Sequence, residues 1–252
     1  MFATPLALLR DQLRLIQAAG SAERPGFAVG VPDVDERLAG RALAADGLHE
    51  IAGADLHLGS VAAATLFSAG LARRRAGAAG KVLWVSNRRD LFAPGLAQVG
   101  LGPDQLLHAE CRKEEDLLPV VEEGLRHGGL AAVVGEVGRV SLTATRRLQL
   151  AAEESGTAAL LLRHWRKREE DPLAPPSAAM TRWRIGCVPS RQLAVDGIAR
   201  PRWQVELVRQ RGGAPHCWIL EGWDGENRLA LPAGPADRQV AAGRADPQRR
   251  AA

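Results

Sequence analysis

Four short strand-like runs constrain this chain more than any other feature: residues 48–52, 82–86, 130–134 and 158–162, the last two apolar throughout. Runs of this length, apolar on both sides, suit strands covered on both faces, and such strands belong to parallel sheets. Helical stretches separate them. Residues 60–76 and 91–99 suit helices, and 114–127 places Leu117, Leu118, Val121 and Leu125 on one face, with Pro119 tolerable in the first turn. Residues 141–155 read as a helix with Gly156 after its end. Strand alternating with helix predicts an α/β fold, a mostly parallel sheet flanked by helices.

The pattern changes in the C-terminal third. Residues 180–188, 201–209 and 216–221 alternate like strands, with Gly212, Gly213, Asp224 and Gly225 marking turns. They predict antiparallel strands that extend the same sheet, with Trp183, Trp203, Trp218 and Trp223 packed against it. The Pro- and acid-rich segment 169–179 predicts a mobile loop. At the other end, residues 4–19 read as an amphipathic helix: Thr4 can cap it, Pro5 takes the first position, and Gly20 follows. Leu6, Leu9, Leu13 and Ile16 form its apolar stripe. A linker over 21–26 would make this helix an arm. The expected organisation is therefore an arm over 1–20, a core domain over 21–231, and a disordered tail over 232–252, where large apolar residues almost vanish.

Composition narrows the function classes. Hydrophobic residues make up 46% and charged residues 25% of 252 positions, ordinary for a soluble globular protein. The longest uncharged stretch, 56–72, contains His57, Ser60 and Ser68 and is too short and polar to span a bilayer. With no secretion-signal pattern, a cytoplasmic protein that does not engage membranes is expected. Cys111, Cys187 and Cys217 lie far apart, so neither a zinc site nor a disulfide framework is indicated. A net charge of +4 is compatible with nucleic acid without demonstrating it. Of the 33 basic residues only Lys81, Lys113 and Lys167 are lysine.

The first strand–loop–helix joint invites a phosphate-binding reading. A P-loop needs G-x-x-x-x-G-K-[ST]. Gly53 and Ser60 hold the first and last positions, but Leu58 stands where the second glycine belongs and Gly59 where the lysine belongs. That lysine is the point charge on the terminal phosphates, and Asp55 adds a negative charge inside the loop. A structural joint is the stronger reading, and weak nucleotide binding the alternative. The strand over 82–86 is followed by Asn87, Arg88 and Arg89 rather than by an acid that could activate water. Glu136 lies one position beyond the place for a magnesium ligand. Neither a catalytic constellation nor a metal site is expected, and no cofactor is implied.

The order of elements resembles the RecA core over roughly residues 4–231. The likeness rests on Gly30-Val31-Pro32-Asp33-Val34-Asp35-Glu36-Arg37-Leu38, on Gly47-Leu48-His49-Glu50-Ile51, and on Gln98-Val99-Gly100-Leu101. A more specific likeness is to the ImuA family, RecA-like accessory proteins of bacterial mutagenesis cassettes. It is carried by Leu83-Trp84-Val85, Arg88-Arg89-Asp90-Leu91, Pro94-Gly95-Leu96, Val134-Gly135-Glu136-Val137, Leu142-Thr143, Arg146 through Glu153, and Gly156. Members of that family also lack an intact P-loop. The resemblance implies a non-catalytic role in damage-induced translesion DNA synthesis. It implies partnership with an ImuB-type polymerase-like protein without catalytic residues and with an error-prone DNA polymerase, and it is compatible with contact to RecA itself. The rival classes are a weak RecA-type ATPase and a division inhibitor, a label that some relatives carry.

Two surfaces are candidates for this work. Arg163, Trp165, Arg166, Lys167 and Arg168 follow the fourth apolar run where RecA carries a DNA-binding loop; the cations could meet phosphates of single-stranded DNA and the indole could stack on a base. The competing reading is a solvated basic turn paired with Glu169, Glu170 and Asp171. The stripe Leu6, Leu9, Leu13 and Ile16 could dock on a partner or pack on its own domain. Arg73, Arg74 and Arg75 end a helix, where cations complement its dipole.

Overall fold

The computed structural model describes residues 24–193 and 197–232. The expected arm, with Leu6, Leu9, Leu13 and Ile16, and the tail from 233 lie outside the described residues. The chain opens with β1 (Gly26–Phe27), a short helix α1 (Pro32–Asp35) and β2 (Leu43–Ala44), which pairs antiparallel with β1. There follow β3 (Leu48–Gly53), α2 (Leu58–Ala76), β4 (Val82–Ser86), α3 (Ala93–Gln98), β5 (Leu106–Glu110), α4 (Glu114–Arg126), β6 (Ala132–Val137), α5 (Leu142–Ser155), β7 (Ala158–Arg163), β8 (Thr181–Val188), β9 (Arg202–Gln210) and β10 (His216–Glu221).

Strands β3 to β10 form one sheet of eight, in the order β10-β9-β8-β3-β7-β6-β4-β5. The β3, β4, β6 and β7 strands carry these four runs. They occupy the middle of the sheet and are parallel. Strand β8 joins β3 in parallel, and only beyond it does the pairing become antiparallel, to β9 and then β10. The antiparallel extension therefore begins one strand later than the sequence pattern suggests. A parallel neighbour needs a long crossover. The 164–180 segment supplies it without a helix.

Both faces of the sheet are covered, as the apolar runs 130–134 and 158–162 require. On one face α2 and α3 bury Phe67, Leu71 and Leu96 against Trp84, Leu160, Trp183 and Trp203. Trp218 and Trp223 join the same layer, so all four C-terminal tryptophans are core residues. On the opposite face α4 and α5 pack Leu117, Val121, Leu125 and Leu148 on Val133, Ala159 and Leu161. Ser141 caps α5 by accepting from the Ala144 amide, and Gly156 closes it in the left-handed conformation at φ 70°.

Three boundaries depart from expectation. Gly26 lies in β1 rather than in a linker. β6 runs to Val137, which puts Glu136 inside the strand, and β7 runs on to Arg163. The 169–179 segment packs rather than standing free: Leu173, Ser177 and Ala179 are buried, and the Ala178 amide donates to Thr145 Oγ1 at 3.1 Å. Arg73, Arg74 and Arg75 hold neighbouring segments by donating to the carbonyls of Gly100 (2.9 Å), Asn227 (2.8 Å) and Gly156 (2.8 Å).

Candidate functional site

In open α/β sheets ligands bind in the crevice beyond the carboxyl ends of the strands. Here that edge collects the 53–60 loop, the residues after β4, the end of β6, and the basic segment after β7. Gly53 ends β3, and a Cβ there would lie 3.1 Å from the Ser60 backbone, so the turn is tight. The loop spends its polar groups on the protein itself. The Ala54 amide donates to the Ile185 carbonyl at 2.8 Å, and Asp55 Oδ1 accepts from the His57 amide at 3.0 Å. Trp165 Nε1 donates to the Gly53 carbonyl at 2.8 Å, clasping the loop to the segment that leaves the neighbouring strand β7.

Ser60 is buried in the first turn of α2. At Gly59, the position a P-loop lysine would hold, an added Cβ would meet Cys187 Cβ at 3.3 Å, so β8 stands close against it. Leu58 beside it is 82% exposed and Leu56 is exposed too. The sequence reading of this joint thus gains a geometry: a strand–loop–helix turn whose mouth is rimmed by leucines instead of a cation. Gly53, Gly59 and Ser60 lie together.

Glu136 is the residue the sequence reading undervalued. Its carboxylate accepts from Trp84 Nε1 at 2.6 Å and lies 3.0 Å from His164 Nε2. The signal was available: a lone acid in a run that remains apolar through Val137 must find donors on its own face of the sheet. The side chain of Ser86 lies 3.1 Å from both the Arg88 carbonyl and His108 Nε2, and Arg88 pairs with Asp90 at 2.9 Å.

The basic segment divides. Arg163 does not belong to an exposed cluster: it is buried at the end of β7, and its guanidinium pairs with the fully buried Glu50. Arg182 Nε reaches the other oxygen of Glu50 at 2.7 Å, making an Arg–Glu–Arg triad. Burial lowers the proton affinity of Arg163, with Glu50 opposing that shift. A guanidinium so engaged has no access to a phosphate. Trp165 is half-buried with its N–H committed to Gly53. Arg166, Lys167 and Arg168 are exposed; Arg166 lies 3.3 Å from Glu114 and Lys167 3.5 Å from Glu170. Asp171 pairs with Arg184 at 2.6 Å.

Beside the loop lies an open groove of about 430 Å³, lined by Val61, Leu66, Leu91 and Leu96, by the exposed Leu58 and Phe92, and by Arg88, Asp90, Glu136 and His164. Chemically this edge offers an apolar cleft and paired charges, which suits recognition of a polypeptide better than a polyphosphate. Among the described residues, no group of three His, Cys, Asp or Glu is placed to hold a metal ion, and no helix is long and apolar enough to cross a membrane.

No protein-family model matches the chain. Two curated relatives, each named Protein ImuA and coming from two strains of Caulobacter vibrioides, are 37% identical over 242 residues, covering 91% of this chain and 98% of the relative. Among solved structures, the crystal structure of the RadB recombinase aligns with a TM-score of 0.54 at 14% identity, covering 77% of this chain and 95% of that one. At that identity the likeness is one of fold, and the fold is RecA-like.

Proposed function

Since the chain belongs to the ImuA family, we propose that it is a non-catalytic accessory of damage-induced mutagenesis and translesion DNA synthesis. It works as a scaffold that recruits an ImuB-type polymerase-like protein and, through it, an error-prone DNA polymerase; RecA is a further candidate partner. The observation that carries this reading is the 53–60 loop. Gly59 takes the lysine's place, Leu58 faces solvent, and Trp165 holds the Gly53 carbonyl. A phosphate cradle needs free amides and a cation at its mouth; this loop has bound one of its amides to β8 and rimmed itself with leucine.

Single-stranded DNA contact, within the same reading, falls to Arg166, Lys167 and Arg168. Because Arg166 and Lys167 already lie beside carboxylates, the affinity is low. Each phosphate engaged adds about 0.7 to the salt slope. Replacing all three by alanine then reduces that slope, as fluorescence anisotropy against salt would record.

The primary test is a tagged pull-down from cells with damaged DNA, with mass spectrometry of what co-purifies, beside calorimetric titration of the purified chain with ATP. Recovery of the polymerase-like protein and no ATP heat are expected. ATP hydrolysis that disappears on Ser60→Ala would overturn the non-catalytic reading. Recovery of a division protein alone would replace the scaffold reading with the division-inhibitor one.

A further inference from the structure

We propose that the groove between α2 and α3 seats a short amphipathic helix of a partner protein. That helix presents two or three large apolar side chains at i, i+3 or i+4 spacing and a lysine or arginine that meets the carboxylate side of the groove, at Asp90 above the buried Glu136. The inference rests on the scaffold reading and names the surface that would do the work.

Exposure comes first. Leu58 is 82% and Phe92 67% exposed, and both line one cleft. Scattered exposed leucines are ordinary, but large apolar side chains gathered at the lips of an apolar cleft mark a contact surface. The floor is preformed, since Leu96 is buried and Leu66 and Leu91 pack on the main core. From Leu58 to Leu66 the wall of α2 runs for about 12 Å, the length of two helical turns. Two helices forming a trough of that length suit a third helix laid between them.

Charge selects among occupants. The groove is lined by one cation, Arg88, and two carboxylates, Asp90 and Glu136; Arg88 pairs with the exposed Asp90, and Glu136 is buried against the Trp84 indole and the His164 ring. An incoming cation complements that excess of negative charge, and an anionic segment or a nucleic-acid phosphate does not. The occupant is therefore a protein segment with one basic end.

Because Leu58 and Phe92 face solvent, their replacement by serine leaves the core packing intact. The test titrates the full chain and its Leu58→Ser/Phe92→Ser and Glu136→Gln variants with the purified ImuB-type polymerase-like protein, following thermal unfolding in parallel. Leu150→Ser on α5, also at an exposed leucine but on the far side of the sheet, serves as control. The double variant is expected to bind at least about tenfold more weakly, Glu136→Gln to weaken binding less, and Leu150→Ser to bind like the parent. If the parent binds and the double variant binds equally well, the groove proposal is wrong and the scaffold reading stands. If the parent does not bind, the scaffold reading falls and takes the groove with it. Hydrogen exchange on the parent supplies a readout free of any folding defect: amides over 58–66 and 91–98 must gain protection when the partner is added. Absence of that protection in the bound complex also overturns the proposal.

Discussion

The three adjacent strands β8, β3 and β7 solve the same problem differently on their two faces. Toward α2 they present aromatic and neutral groups. Trp183 stacks near Phe67 and Trp218 at 5.7 and 6.3 Å between ring centres, and its N–H donates to Thr181 Oγ1 at 2.7 Å. That hydroxyl lies 2.8 Å from His49 Nδ1, while His49 Nε2 lies 2.9 Å from the Ala44 carbonyl, so a neutral ring satisfies both contacts. On the other face α5 covers Leu48, Ala159 and Leu161, and beside that patch the same strands carry Glu50 between Arg163 and Arg182, next to the 169–179 strap. Where a helix covers the sheet, burial of apolar area suffices. Where the strap lies, charges hold the strands and also tie the strap down, as Arg182 does by donating to the Pro175 carbonyl at 3.0 Å.

The largest effect should come from breaking the charged face. Glu50→Ala leaves two buried guanidiniums without a counter-charge and should cost about 3–5 kcal/mol, read as a shift of the urea midpoint or outright loss of folding. Replacing all three, Glu50→Leu with Arg163→Met and Arg182→Met, should restore most of that stability, because a well-packed apolar set avoids desolvating any charge. If the triple variant proves as unstable as the single one, the triad does more than balance its own burial.

The aromatic face breaks by crowding rather than by charge. At Gly70 an added Cβ would fall 2.0 Å from Trp223 Nε1, and the Gly70 carbonyl accepts from Asn227 Nδ2 at 3.2 Å. Gly70→Ala must push the indole off α2 and should cost up to about 3 kcal/mol. Thermal unfolding with tryptophan fluorescence would report both the loss and the displaced ring.

Acid sharpens the contrast. Burial pushes the His49 pKa down from 6.5 to about 4. The unfolded chain therefore takes up this proton near pH 6.5 while the folded chain refuses it until about 4. Stability from this group is complete above 6.5, falls by up to about 1.4 kcal/mol per pH unit below it, and levels off below 4. At pH 5 the loss is ~2 kcal/mol. Urea unfolding at pH 7.5 and pH 5 measures the total, and His49→Gln should remove this part of the difference.

These two faces were unequally legible in the sequence. The aromatic one could be read, because Trp183, Trp203 and Trp218 lie in alternating runs and alternation states which side is buried. The charged one could not, because the wholly apolar run 158–162 ends at its first charge, which stopped β7 at Leu162 and left Arg163 among surface cations. Glu50 held the missing signal, since an acid in the middle of a central strand demands a cation, but its partners lie 113 and 132 residues away. Similarly, stopping β6 at Val134 left Glu136 outside the strand. The 53–60 loop was legible in composition, because Leu58 and Gly59 stand where a cradle needs glycine and lysine. Its clasp by Trp165 was not, since that contact depends on how β7 lies beside β3.

The smallest expected effect tests whether the strap depends on the helix next to it. Ser141 Oγ accepts from the Ala144 amide at 3.2 Å at the start of α5, and one turn in, Thr145 Oγ1 accepts from Ala178 in the strap. Ser141→Ala removes one cap bond and should cost about 1 kcal/mol. If α5 anchors the strap, hydrogen exchange in the variant should quicken at Ala178 and at Leu173, whose amide donates to Asp171 Oδ1, as well as at the first turn of α5. If exchange quickens only in α5, the strap is held by Arg182 and Arg184 alone, and the charged face is self-sufficient. Either result assigns the cover of that face to its charges or to its helix, because the cap lies outside the triad and leaves Glu50, Arg163 and Arg182 unchanged.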